Sequence, residues 1–155
     1  MSLHTRSGFT IVELIVVVSI IAILSVIVVG SVSRQSSFYA LQKAAGDVAV
    51  LLEKAHTRAQ NSYNGVKHSV KIASTTATIF EGTVYATSTA TNQVVSFDSR
   101  ITLASTSING GGDTITFDKV TGATSNYGTI RFYITKASTS SSTVTIGETG
   151  IIQIQ

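Results

Sequence analysis

The sequence predicts an α+β fold in which a long N-terminal helix packs against an antiparallel β-body of one or two sheets. Three observations support this prediction. An almost unbroken apolar run follows a short polar start, a three-and-four spacing of apolar residues continues to about residue 60, and period-two alternation with turn residues fills the remainder. The predicted organisation is a short polar segment at 1–8, an apolar helix segment at 9–30, an amphipathic helix half at 31–61 and a β-rich domain at 62–155.

Composition narrows the class of protein. Charged residues make up 12% of the 155 residues, about half the usual share, and Ser, Thr, Ala and Gly dominate outside the apolar run. The absence of cysteine excludes disulfides, thiolate catalysis and Cys-based zinc sites. The net charge is +3 and no basic run exceeds a pair, which argues against nucleic acid as a partner. This composition is typical of an extracytoplasmic β-rich body.

The apolar run from Ile15 to Val29 predicts a membrane-spanning helix. With Phe9–Leu14 included it reaches about 20 residues, which cover roughly 30 Å as a helix. Ser19 and Ser25 are its only polar members, and each can hydrogen-bond to the carbonyl one turn earlier. Arg6 before the run indicates a cytoplasmic start. Membrane lipid is therefore an expected partner of this segment.

Glu13 is unexpected at the start of such a run, because a carboxylate within an apolar span costs about 3 kcal/mol without a partner. Glu13 could lie at the headgroup level and extend outward. The segment could also be a secretory signal peptide cleaved near Ser31–Ser33, where small residues are suitably spaced. A signal peptide, however, has no use for an acid at this position.

The heptapeptide Gly8-Phe9-Thr10-Ile11-Val12-Glu13-Leu14 combines a polar leader, Gly, Phe, Thr-x-x-Glu and an apolar helix. It resembles the prepilin cleavage motif of the type IV pilins and pseudopilins. The resemblance implies that a membrane aspartyl peptidase cuts after Gly8, that Phe9 becomes an N-methylated N-terminus, and that Glu13 is the carboxylate used in assembly. Gly8 suits the cleavage position because a backbone without a side chain allows close approach of a peptidase.

This resemblance implies a structural subunit and not an enzyme. The expected partners are prepilin peptidase, other pilin or pseudopilin subunits bound through the N-terminal helix, and an inner-membrane assembly platform. The expected location is the inner membrane, as a single-pass protein with an extracytoplasmic body, and then a filament in the periplasm or at the cell surface. A minor pilin or pseudopilin role is favoured, since the chain has no Cys and only Gly30 as a helix breaker. The alternatives are a major pilin and a signal-anchored extracytoplasmic β-domain that acts as a binding module.

Beyond Phe38 the sequence predicts the amphipathic half of the helix, ending near Gln60 before the Asn64-Gly65 turn. Its apolar stripe consists of Leu41, Ala44, Ala45, Val48, Leu51, Leu52, Ala55 and Ala59. The predicted strands are 66–73, 76–85, 94–97, 101–104, 114–117, 129–135, and 143–146 with 151–154. The later part of this body is similar to that of the pseudopilin H or FimT-like minor pilins, over 115–122, 128–132 and 146–151. No Lys or Arg follows Gly150, which again argues against DNA binding.

The sequence indicates no catalytic or metal centre, and no cofactor is expected. His4, His56 and His68 lack the spacing of a zinc site. The run Gly110–Asp113 lacks the Lys-Ser/Thr of a phosphate-binding loop and is predicted to be a hairpin loop. The acidic residues with no calcium-ligand spacing are interpreted as turn residues; they are Asp98, Asp113 and Asp118.

Overall fold

The computed structural model describes residues 9–87 and 89–155, without the side chains of 27–31, 33, 137 and 138. Two compact units divide the chain between Ser36 and Ser37. Helix α1 (Ile11–Gln60) contributes to both units, and its end is close to the sequence prediction. A 3-10 turn at Tyr63–Gly65 follows, in which Ser62 and Asn64 adopt left-handed backbone angles. Left-handed residues cannot continue a right-handed helix, so the chain turns here toward the first strand.

From Leu14 to Val26, α1 is apolar on every side apart from Ser19 and Ser25. Its large apolar side chains between Ile11 and Val26 are all exposed, and the least exposed, Val17, still shows 46% of its surface. Within residues 9–87 and 89–155, the structure contains no helix that is both long and apolar enough to cross a membrane.

In the second unit, α1 buries the predicted apolar stripe. Leu41, Val48 and Leu52 are at most 1% exposed, and the alanines between them are buried as well. Phe38, three residues before the stripe begins, is 45% exposed. The stripe belongs to a hydrophobic core that also contains buried apolar side chains from the β-strands. The small alanine side chains leave room for the backbone of the sheets to approach the helix.

In the described part of the chain, eight strands form two four-stranded antiparallel sheets. The first sheet has the order β3-β2-β1-β5 and the second β4-β6-β7-β8. The strands are β1 (His68–Ile72), β2 (Thr76–Glu81), β3 (Gln93–Ser96), β4 (Ile101–Ile108), β5 (Thr114–Phe117), β6 (Gly128–Ile134), β7 (Ala137–Ile146) and β8 (Ile152–Ile154). The α+β prediction and its two-sheet form are therefore confirmed.

Each predicted strand corresponds to an observed one, but β2 ends at Glu81 and is shorter than the predicted 76–85, and two strands are longer than predicted. β4 continues to Ile108 after a register shift between Leu103 and Ser105, and β7 begins at Ala137. The prediction of a hairpin loop at Gly110–Asp113 was wrong, because this loop joins β4 of the second sheet to β5 of the first. The chain crosses between the sheets three times, after β3, β4 and β5, and then completes the second sheet with β6, β7 and β8.

Candidate functional site

The start of α1 contains the residues that the sequence singled out. Phe9 and Thr10 lie outside the helix, which begins at Ile11. The Thr10 hydroxyl accepts a hydrogen bond from the Glu13 backbone N–H at 3.2 Å, and the Thr10 carbonyl accepts one from the Leu14 N–H at 3.2 Å. Thr10 is therefore the N-cap of α1, and Thr10-x-x-Glu13 has the sequence of a capping box. The sequence reasoning missed this role, although the spacing could have indicated it.

Glu13 lies in the first turn of α1 and is exposed. Its carboxylate is placed near the positive end of the helix dipole, a position that favours negative charge. Phe9 is 82% exposed immediately before the cap. Gly8 lies outside the described residues. The structure thus groups Phe9, Thr10 and Glu13 at one helix end, with the two non-helical residues Phe9 and Thr10 leading into it.

The two serines of the apolar run behave as predicted. The Ser19 hydroxyl donates to the Ile15 carbonyl at 2.8 Å, and the Ser25 hydroxyl donates to the Ile21 carbonyl at 2.7 Å. Both hydroxyls are thereby satisfied within the helix. Because both hydroxyls are bonded within the helix, the surface of α1 from Ile15 to Val26 is apolar around its whole circumference. A helix of this kind is stable when lipid or other helices surround it.

A second arrangement, which the sequence did not indicate, joins the helix to two loops of the body. Positive-φ glycines Gly122 and Gly150 lie directly on the His56 imidazole. A Cβ on Gly122 would come within 2.5 Å of His56 Nε2, and one on Gly150 would meet both the imidazole and the Gly122 carbonyl. The His56 ring also meets the Phe117 ring edge-on at 5.7 Å. Backbone hydrogen bonds link the same segments, since Val120 N–H donates to the Ala59 carbonyl at 3.0 Å.

His68 is fully buried at the start of β1, and neither of its ring nitrogens has a hydrogen-bond partner. Burial lowers the pKa of His68 from its ordinary value, Arg58 lowers it further, and Glu81 acts in the opposite direction. The Tyr63 ring lies 6.0 Å from the His68 ring. Among the described residues, no group of three or more His, Cys, Asp or Glu side chains could hold a metal ion.

The three aspartates considered for calcium each form an ion pair. Asp98 pairs with Arg100 at 2.8 Å, Asp113 with Lys71 at 2.8 Å, and Asp118 with Lys67 at 2.6 Å. The Arg100 guanidinium holds the pKa of Asp98 well below its usual range, and Lys71 lowers that of Asp113. All three carboxylates are thus engaged by cationic side chains.

Comparison with known proteins supports the same interpretation of both parts of the chain. Residues 3–29 match the family described as the Prokaryotic N-terminal methylation motif. Two crystal structures of the type IV minor pilin FimU from Pseudomonas aeruginosa PAO1, in space groups P65 and P21, are similar to this chain, each with a TM-score of 0.56 and 17% identity. The similarity covers 74% of this chain and 92% or 87% of those chains. No curated protein matches the sequence.

The chain thus combines an N-terminal match to the methylation motif with a body whose fold is similar to that of a type IV minor pilin. The resemblance to the type IV pilins inferred from Gly8 to Leu14 is thereby confirmed.

Proposed function

We propose that this protein is a minor subunit of a type IV pilus or of a type II secretion pseudopilus. In this proposal, prepilin peptidase removes residues 1–8 by cutting after Gly8, and Phe9 becomes the methylated N-terminus. The apolar part of α1 anchors the subunit in the inner membrane and later lies in the filament core. The body from residue 37 onward is extracytoplasmic.

The observation that carries the proposal is the arrangement of the residues at the start of α1. Phe9 and Thr10 are non-helical, Thr10 caps the helix, and the apolar surface begins directly after Glu13. A peptidase binds its substrate in extended form, so a scissile bond just before the cap is accessible without unwinding the helix. Beyond the cap, the backbone N–H and C=O groups of α1 hydrogen-bond to one another. This is necessary in lipid, because no water is available there to bond them.

Glu13 has a specific use in this proposal. Cleavage would create an ammonium group on Phe9, four residues before the Glu13 carboxylate. A positive charge at a helix N-terminus opposes the helix dipole, whereas Glu13 complements it. In an apolar filament core, an unpaired carboxylate is costly, and pairing it with the ammonium of a neighbouring subunit removes that cost. The pair would select the axial register of subunits, while packing of the apolar helices supplies the affinity.

The first test is the intact mass and N-terminal sequence of the protein purified from its native membrane. The expected result is a chain that begins with methylated Phe9. An N-terminus near Arg34 would contradict the proposal, because it would identify a secretory signal peptide cut near Ser31–Ser33 and leave a secreted β-domain. An unprocessed N-terminus would identify a signal-anchored binding module instead.

The second test separates the charge of Glu13 from its structural role. Glu13→Gln removes the charge but keeps a residue suited to the third position of a capping box and to a helix. The matched control is Glu53→Gln, which removes an exposed carboxylate elsewhere on α1. Incorporation is measured as the fraction of subunit in sheared filaments or in complexes with other subunits.

We expect Glu13→Gln to be cleaved normally and to be absent from assemblies, whereas Glu53→Gln assembles like the wild type. Normal incorporation of the Glu13→Gln protein would refute the assembly role of this carboxylate. It would leave Glu13 as a helix-capping residue only.

A further inference from the structure

We propose that the outer face of the second sheet binds an acidic polysaccharide. This face lies opposite the hydrophobic core. On β6 the side chains alternate, so that Ile130 and Phe132 are fully buried whereas Arg131 is exposed between them. Side chains of residues that pair across neighbouring strands point to the same face of the sheet. The pairing partners of an exposed β6 residue therefore lie on the outer face as well.

Three rows of side chains cross this face. The middle row passes through Arg131, which pairs with Ser105 on β4 and with Thr143 on β7. Backbone hydrogen bonds in both directions between Thr143 and Gln155 extend the row to the last residue of the chain. The row on one side consists of Ser107, Thr129, Thr145 and Gln153, and the row on the other side of Thr102, Tyr133 and Ser141.

The chemistry of these rows is uniform. Hydroxyl and carboxamide groups occupy most positions, Tyr133 adds one aromatic ring, and Arg131 is the one charged residue. Among the described residues, no carboxylate forms an ion pair with Arg131. The side chains of Ser105 and Thr143 likewise form no hydrogen bond with another described residue. Their donors and acceptors are therefore available to a ligand.

The charge and the spacing identify the ligand class. An unpaired guanidinium selects a carboxylate, which it can hold with two parallel hydrogen bonds. Neighbouring strands place side chains about 4.8 Å apart along each row, and the rows are about 7 Å apart along the strands. These intervals are close to the spacing and the width of successive rings in an extended sugar chain. The ring of Tyr133 can cover the apolar face of a sugar beside the carboxylate held by Arg131.

Other polymers fit this face less well. A nucleic acid binds mainly through phosphates held by several Lys or Arg residues, whereas a sugar chain also offers hydroxyl groups on every ring that can pair with the polar rows around the single Arg131. A protein partner would require a buried apolar centre, whereas the rows contain no aliphatic side chain. A polymer of hydroxylated rings with carboxylates matches both the polar rows and the lone positive charge.

The test uses the full chain in a non-ionic detergent, with polygalacturonate as the probe and fully methyl-esterified pectin as its uncharged counterpart. Arg131→Gln should weaken binding to polygalacturonate about tenfold or more, because it removes a charge-assisted hydrogen bond. Thr143→Val keeps the shape and the strand preference of the residue but removes the hydroxyl, and should weaken binding about threefold. The matched control is Arg34→Gln, which removes one exposed positive charge from the other unit.

Circular dichroism of each variant checks that the fold is retained. The proposal is supported if the wild type binds polygalacturonate more tightly than the esterified polymer and only the Arg131 and Thr143 variants lose affinity. It is overturned if the wild type does not bind polygalacturonate or binds both polymers equally. Equal losses in the Arg34 and Arg131 variants would also overturn it, since they would indicate attraction by net charge alone.

Discussion

Gly122→Ala tests whether the contact between His56 and the loop before β6 stabilises the body. Alanine at Gly122 must adopt a φ of +68° and place its Cβ 2.5 Å from His56 Nε2 and 2.7 Å from Gln60 Cγ. The left-handed backbone costs about 1–2 kcal/mol, and overpacking of a filled site adds typically 1–3 kcal/mol. Lower entropy of the unfolded chain returns about 0.4–1 kcal/mol. We therefore expect a loss of about 1–5 kcal/mol in the free energy of unfolding.

Gly65→Ala is the matched control, since Gly65 has nearly the same φ of +65° and nothing lies within 4 Å of its Cβ position. It carries the backbone cost alone, about 1 kcal/mol after the entropy gain. Urea unfolding of the full chain in non-ionic detergent, followed by circular dichroism, gives both values. Repeating Gly122→Ala in a His56→Ala background should reduce its cost toward that of Gly65→Ala. Equal costs for the two glycine variants, or no effect of removing His56, would refute the reasoning.

Two further predictions concern strain and pH. Val120 has a φ of +70° although it is β-branched and 73% exposed, so Val120→Gly should raise the free energy of unfolding by about 1 kcal/mol in urea titrations. Val84→Gly, at a position 82% exposed with ordinary φ, should bring no gain, and a gain as large as that at Val120 would argue against strain. Burial lowers the pKa of His68 in the folded chain, whereas in the unfolded chain this pKa is near 6.5. As the pH falls, His68 therefore binds a proton in the unfolded chain before it does so in the folded chain. Stability should therefore be full above pH 6.5 and fall as the pH drops from there toward the lower folded value. Replacement by Phe should flatten this slope, and an unchanged slope would exclude His68 as its source.

The sequence predicts most of the helix and strands because their signals are local. The stripe from Leu41 to Ala59 follows the helical period, and its burial is as predicted. Phe38 continues that period yet is exposed, because burial depends on what covers a position and not on the period itself. The division of strands between two sheets is set by pairing between distant segments, which no local pattern records. The polar run Ser138–Ser142 has no apolar alternation, so the beginning of β7 could not be predicted.

The candidate sites also differ in whether their residues lie close together in the sequence. Gly8, Phe9 and Glu13 could be proposed from the sequence because they lie within one short motif, and residues 3–29 match a known N-terminal motif independently of the fold. The contact of His56 with Gly122 and Gly150 joins three segments that are far apart in the sequence. Only the folded body brings them together. In the sequence, these two glycines cannot be distinguished from those in open loops such as Gly111.

The crossing of the chain between the sheets determines the order in which the body can be completed during synthesis. β1 has one open edge until β5 is made, although β4 has been made by then. β4 belongs to the second sheet and has no partner until β6 follows. A chain that pauses between Phe117 and Gly128 thus carries a finished first sheet and an unpaired β4. Unpaired edges promote aggregation. A nascent subunit is therefore most prone to aggregation from the completion of β4 until β6 is made, and before β5 it exposes the open edge of β1 as well.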